Sequence, residues 1–158
     1  MPKHSICAEV GVQNGENAVR ILERACPRQL HLIDTWGGQS GGHERVKEMI
    51  VGQPATLHKG RSVVVGNRFS DNFFDWVYVD ANHEYEFVSE DLRLYYRKIK
   101  HGGILSGHDY SRLGSKNNFV GVKKAVHEMI NEGLCKLICF TNEPQQRSFA
   151  MKVIKPSA

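Results

Sequence analysis

Short apolar runs alternate with amphipathic segments along most of this chain, and that alternation restricts the fold more than any other feature. The runs with the length and composition of buried strands are Ile6–Val12, Leu30–Ile33, Thr56–Lys59, Phe74–Val79 and Ile104–Ser106. Such runs, each followed by a helix or a polar connection, are typical of a parallel sheet covered on both faces. We therefore expect an α/β fold. Two final runs, Lys136–Thr141 and Ser148–Ile154, have no helix between them and predict an antiparallel hairpin at one edge.

Between the predicted strands, apolar residues recur at helical spacing. The predicted helices are Asn17–Ala25, Glu44–Val51, Phe87–Lys100 and one that carries Val122, Val126 and Ile130. The third is expected to stop at His101-Gly102-Gly103, because glycine commonly follows the carboxyl terminus of a helix. The pattern leaves the secondary structure of Val63–Asn67 open, and it predicts a polar loop over Ser111–Asn118.

Length and charge narrow the class of protein. A chain of 158 residues suffices for a substantial core, so we expect a single domain over residues 1–158 with a minimal amino-terminal cap. The formal charge of +4 comes from scattered lysines and arginines, which predicts no nucleic-acid partner. Neither a signal peptide nor a long apolar run is present in the sequence, so we expect a cytoplasmic protein without a membrane partner.

The first predicted strand carries an acid and leads into a glycine turn. Glu9 lies on the strand, and Gly11 and Gly15 separate it from the first helix. Glycines let the backbone approach a ligand closely, and the N–H groups at a helix start favour an anionic group. The spacing differs from the Gly-x-Gly-x-x-Gly of dinucleotide-binding folds, and an acid suits an ammonium group better than a pyrophosphate. This combination predicts S-adenosylmethionine (SAM), whose methionine part carries an amine and whose sulfur is a cation.

Polar side chains also follow the other predicted strands. Asp34 follows the second strand, Ser62 the third, Asp80 the fourth, and His108 and Asp109 the fifth. Ligands of open α/β sheets bind outside the carboxyl ends of the strands, so these residues predict one binding crevice. Asp34 stands close to the position at which an acid meets the two ribose hydroxyls in nucleotide-binding folds. A turn or helix-capping role for Asp34 stays open.

Four segments, in this order and spacing, carry a resemblance to a known family. They are Ala8-Glu9-Val10-Gly11-Val12-Gln13-Asn14-Gly15, His31-Leu32-Ile33-Asp34, Phe74-Asp75-Trp76-Val77-Tyr78-Val79-Asp80-Ala81-Asn82-His83 and Gly102-Gly103-Ile104-Leu105-Ser106-Gly107-His108-Asp109-Tyr110. From Ile6 to Ile154 the chain resembles a class I SAM-dependent methyltransferase, in particular the small-molecule O-methyltransferases of the catechol and macrolide-sugar type. The resemblance implies a Rossmann-like, seven-stranded, mostly parallel sheet in the order 3-2-1-4-5-7-6, with strand seven antiparallel and helices on both faces.

The resemblance also assigns roles to the residues at the strand ends. The positions that match cofactor-binding residues of the family are Glu9, Gly11, Gly15, Asp34, Ser62 and Asp80. The first three would hold the methionine part of SAM, Asp34 would hold the ribose, and Ser62 would lie beside the adenine. In the metal-dependent branch, the protein ligands of a divalent cation would be Asp80, His108 and Asp109. Oxygen ligands suit Mg²⁺, whereas the imidazole of His108, where the family more often has an acid, favours a transition metal such as Mn²⁺.

His83 lies three residues after Asp80, where catechol-type relatives carry the basic residue that takes the hydroxyl proton. An imidazole titrates near neutrality, which suits that task. His83 and Asp80 are therefore the predicted catalytic residues. A helix cap or a metal ligand stays open as the role of His83.

These observations predict an enzyme that transfers the SAM methyl group to an oxygen of a small hydroxylated molecule, with the help of a divalent cation. The alternatives are a non-catalytic SAM-binding module, a nitrogen methyltransferase and an NAD-dependent oxidoreductase. The glycine spacing disfavours the last. The Asn/Asp-Pro-Pro-Tyr/Phe tetrapeptide of many nitrogen methylases is absent, and Asp80-Ala81-Asn82-His83 stands after the fourth strand instead. The identity of the acceptor and the formation of a homodimer stay open.

Overall fold

The computed structural model describes residues 1–38, 41–110, 120–143 and 146–156. The strands are β1 (Ile6–Val10), β2 (Gln29–Asp34), β3 (Ala55–Lys59), β4 (Phe74–Val79), β5 (Ile99–Gly107), β6 (Cys135–Phe140) and β7 (Phe149–Val153). The helices are α1 (Glu16–Ala25), α2 (Gly42–Met49), α3 (Ser62–Gly66), α4 (Tyr85–Lys98) and α5 (Val120–Asn131). The predicted polar loop Ser111–Asn118 lies outside the described residues.

The strands form one seven-stranded sheet in the order β3-β2-β1-β4-β5-β7-β6. β7 runs antiparallel to both of its neighbours, β5 and β6, while all other neighbouring strands pair in parallel. The α/β fold, the strand order and the antiparallel seventh strand expected from the sequence are confirmed. Among the described residues, no helix combines the length and the apolar character that crossing a bilayer requires.

Helices pack on both faces of the sheet. On one face α1 and α2 pack against a cluster that contains Val46 and Trp76. On the other face α3, α4 and α5 cover a cluster that contains Leu92 and Val126. β1 lies in the middle of the sheet, and its residues from Cys7 to Val10 are at most 1% exposed. This burial explains why the strand reads as a continuous apolar run, and it makes the acid in that run unusual.

The predicted end of α4 at Gly102-Gly103 is wrong. The helix ends at Lys98, and β5 begins at the next residue, Ile99, which pairs with Phe74. The two strands then fall out of register until Ile104, so the intervening residues form a bulge. A Cβ atom on Gly103 would lie 2.6 Å from the carbonyl oxygen of Asp75. Gly103 therefore serves the close approach of β5 to β4, and neither glycine ends the helix.

The segment that the sequence left undecided is helical. α3 begins at Ser62, directly after β3, and the hydroxyl of Tyr95 on α4 donates a hydrogen bond of 3.1 Å to the Ser62 carbonyl oxygen. This contact joins the first residue of α3 to the last turn of α4. It places the Ser62 side chain at the carboxyl edge of the sheet.

Gly11 is the position where the fold depends most closely on glycine. Its φ angle is +88°, and an added Cβ atom would lie 2.0 Å from the carbonyl oxygen of Asp80. We expect Gly11→Ala to lower the free energy of unfolding by roughly 2–5 kcal/mol, because steric overlap adds to the strain of a left-handed backbone. Gly52→Ala is the matched control, since its φ is +75° and nothing lies within 4 Å of the added atom. Urea unfolding would measure both, and equal losses would contradict the role of the Asp80 contact.

Candidate active site

Two adjoining cavities lie at the carboxyl edge of the sheet. The larger, of about 510 Å³, is lined by residues that include Gly11, Asp34, Ser62, Asp80, His83 and Asp91. The smaller, of about 240 Å³, is lined by residues that include Glu9, Gly11, Asn17, Tyr78, Asp80 and His108. Gly11, Gln13 and Asp80 line both cavities. The strand ends that the sequence predicted to meet do form one crevice.

Glu9 is a carboxylate buried inside the sheet, with only 1% of its surface exposed. One oxygen, Oε1, accepts a hydrogen bond of 3.2 Å from the Asn17 side chain on α1. The other, Oε2, is buried and has no hydrogen-bond partner among the described residues. Burial raises the pKa of Glu9 to about 8. The free protein at neutral pH therefore holds Glu9 mostly protonated, beside a cavity that offers room for a cationic partner.

Asp34 binds the loop between β1 and α1. Its Oδ2 accepts hydrogen bonds from the backbone N–H groups of Val12, at 2.7 Å, and Gln13, at 2.9 Å. Its Oδ1 accepts a third from the N–H of Trp36, at 2.7 Å. Asp34 thus shapes the glycine turn, and it also lines the larger cavity. Oδ1 also accepts a long hydrogen bond of 3.5 Å from the Thr35 hydroxyl. Because a carboxylate offers about four acceptor positions, a ligand hydroxyl would have to replace this weakest contact.

Gly15 differs from Gly11 in its surroundings. Gly15 is the amino-terminal cap of α1 with φ +82°, and a Cβ atom there would lie 2.3 Å from the Met49 side chain on α2. It lines neither cavity, whereas Gly11 lines both. Trp36 also stays outside the two cavities and donates a hydrogen bond of 3.0 Å to the Gln13 carbonyl oxygen. The structure therefore gives Gly15 and Trp36 packing roles.

A cluster of acids and imidazoles lies where β4 and β5 end. Candidate ligand atoms of Asp80, His83 and Asp109 all lie within 4.8 Å of one another. The shortest contact joins His83 Nε2 to Asp109 Oδ2 at 2.7 Å, and His83 Nε2 lies 3.4 Å from Asp80 Oδ1. Asp109 is 3% exposed, has a left-handed φ of +54°, and its Oδ1 is buried without a partner among the described residues. The fold therefore directs two carboxylates and an imidazole at one point.

His108 lies at the side of this cluster. Its Nδ1 is 3.5 Å from Asp109 Oδ2 and 4.0 Å from Asp80 Oδ1. The sequence predicted Asp80, His108 and Asp109 as metal ligands and His83 as a base. The closest group in the structure instead has His83 beside the two acids, with His108 next to it.

Hydrogen bonds between the imidazoles and the carboxylates of the cluster change the pKa values of both. Hydrogen bonds to Asp109 and Asp80 raise the pKa of His83 to about 9. A hydrogen bond to Asp109 also raises the pKa of His108. Burial would raise the pKa of Asp109, but hydrogen bonds from His108 and His83 hold it well below its ordinary value. With no cation present, His83 is protonated at neutral pH and cannot accept a proton there.

Residues 8–110 of the 158-residue chain match the model of a protein family described as a methyltransferase domain. The chain belongs to this family of methyltransferase domains. The sheet order with an antiparallel seventh strand agrees with the class I fold of SAM-dependent methyltransferases. The methyltransferase family and the fold predicted from the sequence are confirmed.

Several solved structures share the fold of this methyltransferase domain. A SAM-dependent methyltransferase of Methanosarcina mazei has a TM-score of 0.74 and 10% identity, with 99% of this chain and 95% of the other covered. A Streptococcus mutans protein described as a methyltransferase, solved with S-adenosylhomocysteine (SAH), has a TM-score of 0.71 and 11% identity over 98% and 91% of the two chains. A Bordetella parapertussis protein described as a possible exported protein has a TM-score of 0.69 and 14% identity; the alignment covers 98% of this chain and 63% of that one. Among curated proteins, none matches the sequence significantly.

The methyltransferase domain fits SAM at the smaller cavity. A buried carboxylate oxygen without a partner, at Glu9 Oε2, suits the ammonium group of the methionine part. The cluster of Asp80, His83 and Asp109 fits a divalent cation, because it too contains a buried carboxylate oxygen without a partner among the described residues. Asp109 Oδ1 is buried without a partner in the described part of the chain, and hard or borderline cations bind such oxygen and imidazole ligands.

Sequence reasoning missed Asp91. This residue lines the larger cavity from α4, is 3% exposed, and receives a side-chain hydrogen bond from Ser62. Burial raises its pKa to about 6. A signal existed in the sequence, because Asp91 lies three residues after Val88 and four before Tyr95, on the apolar stripe of the helix. An acid inside such a stripe predicts either a buried polar contact or a site.

Proposed function

We propose that this methyltransferase domain transfers the methyl group of SAM to an oxygen of a small hydroxylated molecule, with a divalent cation bound at Asp80, His83 and Asp109. The observation that carries the proposal is the convergence of these three side chains within 4.8 Å, beside the cavity that contains Glu9. A site that only binds SAM has no need of two carboxylates and an imidazole at the methyl end.

The donor would lie across both cavities. Glu9 would bind the ammonium group in the smaller cavity, and Gly11 would let the backbone approach the methionine part. Asp34 would bind the ribose in the larger cavity, with Ser62 beside the adenine. In support of this arrangement, Gly11 and Asp80 line both cavities. One extended molecule could therefore contact the residues of both.

The reaction is a displacement at carbon. The acceptor oxygen forms a bond to the methyl carbon as the carbon–sulfur bond breaks, and the electron pair of that bond stays on sulfur to give neutral SAH. The acceptor hydroxyl loses its proton. A divalent cation, when bound, lowers the pKa of a hydroxyl and favours its deprotonation. His83 stands between Asp80 and Asp109, where it can either help to hold the cation or take the proton once it is itself neutral. Holding the two reactants in line supplies much of the rate.

The proposed acceptor is a small molecule, and neither a nucleic acid nor a membrane is a proposed partner. Support comes from the scattered basic residues of the chain, which form no dense stripe for a phosphate backbone. The test is incubation of the protein with SAM, Mn²⁺ and a panel of phenols, sugars and amines, followed by mass spectrometry. Methylation of hydroxyl compounds supports the proposal. Methylation of amines alone would favour the nitrogen methyltransferase, and SAM binding without any turnover would favour the binding module.

The protonation of Glu9 gives a prediction for donor binding. Because Glu9 is mostly neutral in the free protein and would be ionised beside an ammonium group, SAM binding at pH 7 should release a proton. The affinity should therefore rise as the pH increases from about 6 to 8. Calorimetry in buffers of different ionisation enthalpy measures the release.

Glu9→Gln should abolish the proton release and weaken SAM binding by roughly 1.5–3 kcal/mol, the usual contribution of a hydrogen bond to a charged group. Glu23→Gln is the matched control, an exposed acid on α1 that lines neither cavity. Proton uptake on binding, or equal release by Glu9→Gln, would contradict the assignment of Glu9 to the ammonium group.

A further inference from the structure

A third cavity lies on the α1 side of the sheet, between that helix and β6. We call it the α1–β6 groove; its volume is about 850 Å³, and its lining includes Arg20, Arg24, Tyr78, Ser106, Ile138 and Ala150. The residues that pair across the sheet explain its position. Starting at Glu9 on β1, the cross-strand partners are Tyr78, Ser106, Ala150 and Cys139 in turn. Because paired residues share a face, this row runs straight from the buried acid of the SAM site into the groove.

The size and exposure of the side chains in this row make the groove deep. Ser106 and Ala150 are small, so the sheet presents little bulk between β4 and β6. At the far edge Ile138 is 51% exposed and Cys139 is exposed. Ile104, which is partly exposed, lines the groove closer to α1 and adds apolar surface to that of Ile138. A flat or partly apolar molecule would find a matching surface here.

The groove lies next to the smaller cavity of the active site, and the two share lining residues. The residues that line both are Asn17, Arg20, Tyr78 and His108. One of them, Asn17, donates the hydrogen bond to Glu9, and another, His108, lies beside Asp80 and Asp109. A molecule in the groove can therefore reach the end of the site where the methyl group of SAM would lie.

Two arginines form one wall of the groove. Arg20 and Arg24 are exposed, lie four residues apart on α1, and so project from the same face of that helix. Neither forms an ion pair with another residue in the described ranges. The acid on the opposite wall, Glu143, accepts a hydrogen bond of 2.8 Å from Thr141. The α1 wall therefore carries two arginines without an ion pair in the described ranges, next to a partly apolar floor.

We propose that the α1–β6 groove binds the methyl acceptor, and that this acceptor carries an anionic group, a carboxylate or a phosphate, held by Arg20 and Arg24. The inference rests on the proposed function and names the chemical class of its substrate. Guanidinium groups bind carboxylates and phosphates through paired hydrogen bonds, which fixes orientation as well as charge. The anionic end would lie along α1, the body on Ile104 and Ile138, and the reacting hydroxyl at the His108 end.

The experiment compares acceptors that differ only in charge. The probes are 3,4-dihydroxybenzoate against its methyl ester, and glucose 6-phosphate against glucose, each tested for methylation with Mn²⁺ and for calorimetric binding to the SAH-loaded protein. We expect one anionic member to bind at least ~10-fold more tightly than its neutral partner. Arg20→Gln and Arg24→Gln should each weaken binding of the anionic probe roughly 10–100-fold. Each should also raise KM for that probe more than it changes kcat. Arg45→Gln is the matched control, an exposed arginine on α2 that lines none of the three cavities.

The outcomes separate this inference from the proposed function. Methylation of charged and neutral probes with equal efficiency, unchanged by the arginine variants, overturns the inference and leaves the O-methyltransferase standing. Preference for the carboxylate or for the phosphate tells which anion the groove accepts. Absence of methylation with every hydroxyl probe overturns the proposed function, and absence of anion binding to the SAH-loaded protein overturns the inference. If Ile138→Asp converts a dimer to a monomer and leaves the acceptor KM unchanged, a second copy covers the groove and the inference is wrong.

Discussion

Replacing Asp109 by asparagine should abolish measurable Mn²⁺ binding while SAM affinity stays nearly unchanged. Asp109 contributes a buried oxygen without a partner among the described residues and a second oxygen 2.7 Å from His83. Loss of an outer-shell partner already lowers metal affinity by about 10–100-fold, so loss of a charged ligand should lower it at least ~100-fold. Asparagine is the replacement of choice, because it tolerates the left-handed φ of +54° that Asp109 adopts.

Electron paramagnetic resonance of free Mn²⁺ in titrations of the protein would measure this affinity. Asp71→Asn is the matched control, an exposed acid whose ion-pair partner, Lys98, lies outside the cavities of the active site. One result of this titration would contradict the prediction. Equal Mn²⁺ affinity of Asp109→Asn and the parent protein would remove Asp109 from the proposed metal site, and the proposed methyl transfer would then have to proceed without a cation there.

His83→Ala should reduce turnover by ~10²–10⁴-fold, the usual contribution of a positioned acid–base group. SAM affinity should fall far less than turnover, because His83 contacts Asp80 and Asp109 and, although it lines the larger cavity, lies outside the smaller cavity that holds Glu9. Single-turnover kinetics with a hydroxyl acceptor would measure the loss. A variant that turns over at the parental rate would assign His83 to a purely structural role.

Metal affinity separates the two catalytic roles that His83 can have. If the imidazole takes the acceptor proton, His83→Ala should bind Mn²⁺ as the parent protein does. If it is a metal ligand, the variant should lose Mn²⁺ affinity together with turnover. His101→Ala is the matched control, since that imidazole accepts a hydrogen bond of 3.1 Å from the backbone of Lys155, away from the active-site cavities.

Residue spacing predicted which residues form the site but not which side chains contact one another. The sequence placed Asp80, His108 and Asp109 at neighbouring strand ends, and the structure brings them together. Spacing could not tell which imidazole points at the two acids. His83 lies in the connection between β4 and α4, and the backbone angles of that connection, together with the left-handed turn at Asp109, aim its ring at Asp109 Oδ2. The consequence for chemistry is large, because this contact raises the pKa of His83 to about 9.

Asp34 gives the same lesson for binding. The sequence predicted an acid at the ribose position and left a turn role open. In the structure Asp34 holds the N–H groups of Val12 and Gln13, residues more than 20 positions earlier in the chain. Only the parallel pairing of β1 with β2 brings these groups within reach of the carboxylate. The turn role that the sequence left open is therefore observed, and the ribose role stays a prediction.

Local periodicity and turn chemistry by themselves determined the α/β class and nearly all of the helices and strands. A strand that is buried on both faces needs apolar side chains along its whole length, and such a run is visible in the sequence. The order of the strands came from the resemblance of the motifs to a known family. Tertiary structure alone decided the end of α4, where pairing of Ile99 with Phe74 overrides the glycine signal, and the open α1 side of the sheet beside β6. It also decided which polar atoms are buried without partners, such as Glu9 Oε2. The physical reason is common to these cases: register and packing join residues far apart in the chain, and those contacts leave no local pattern in the sequence.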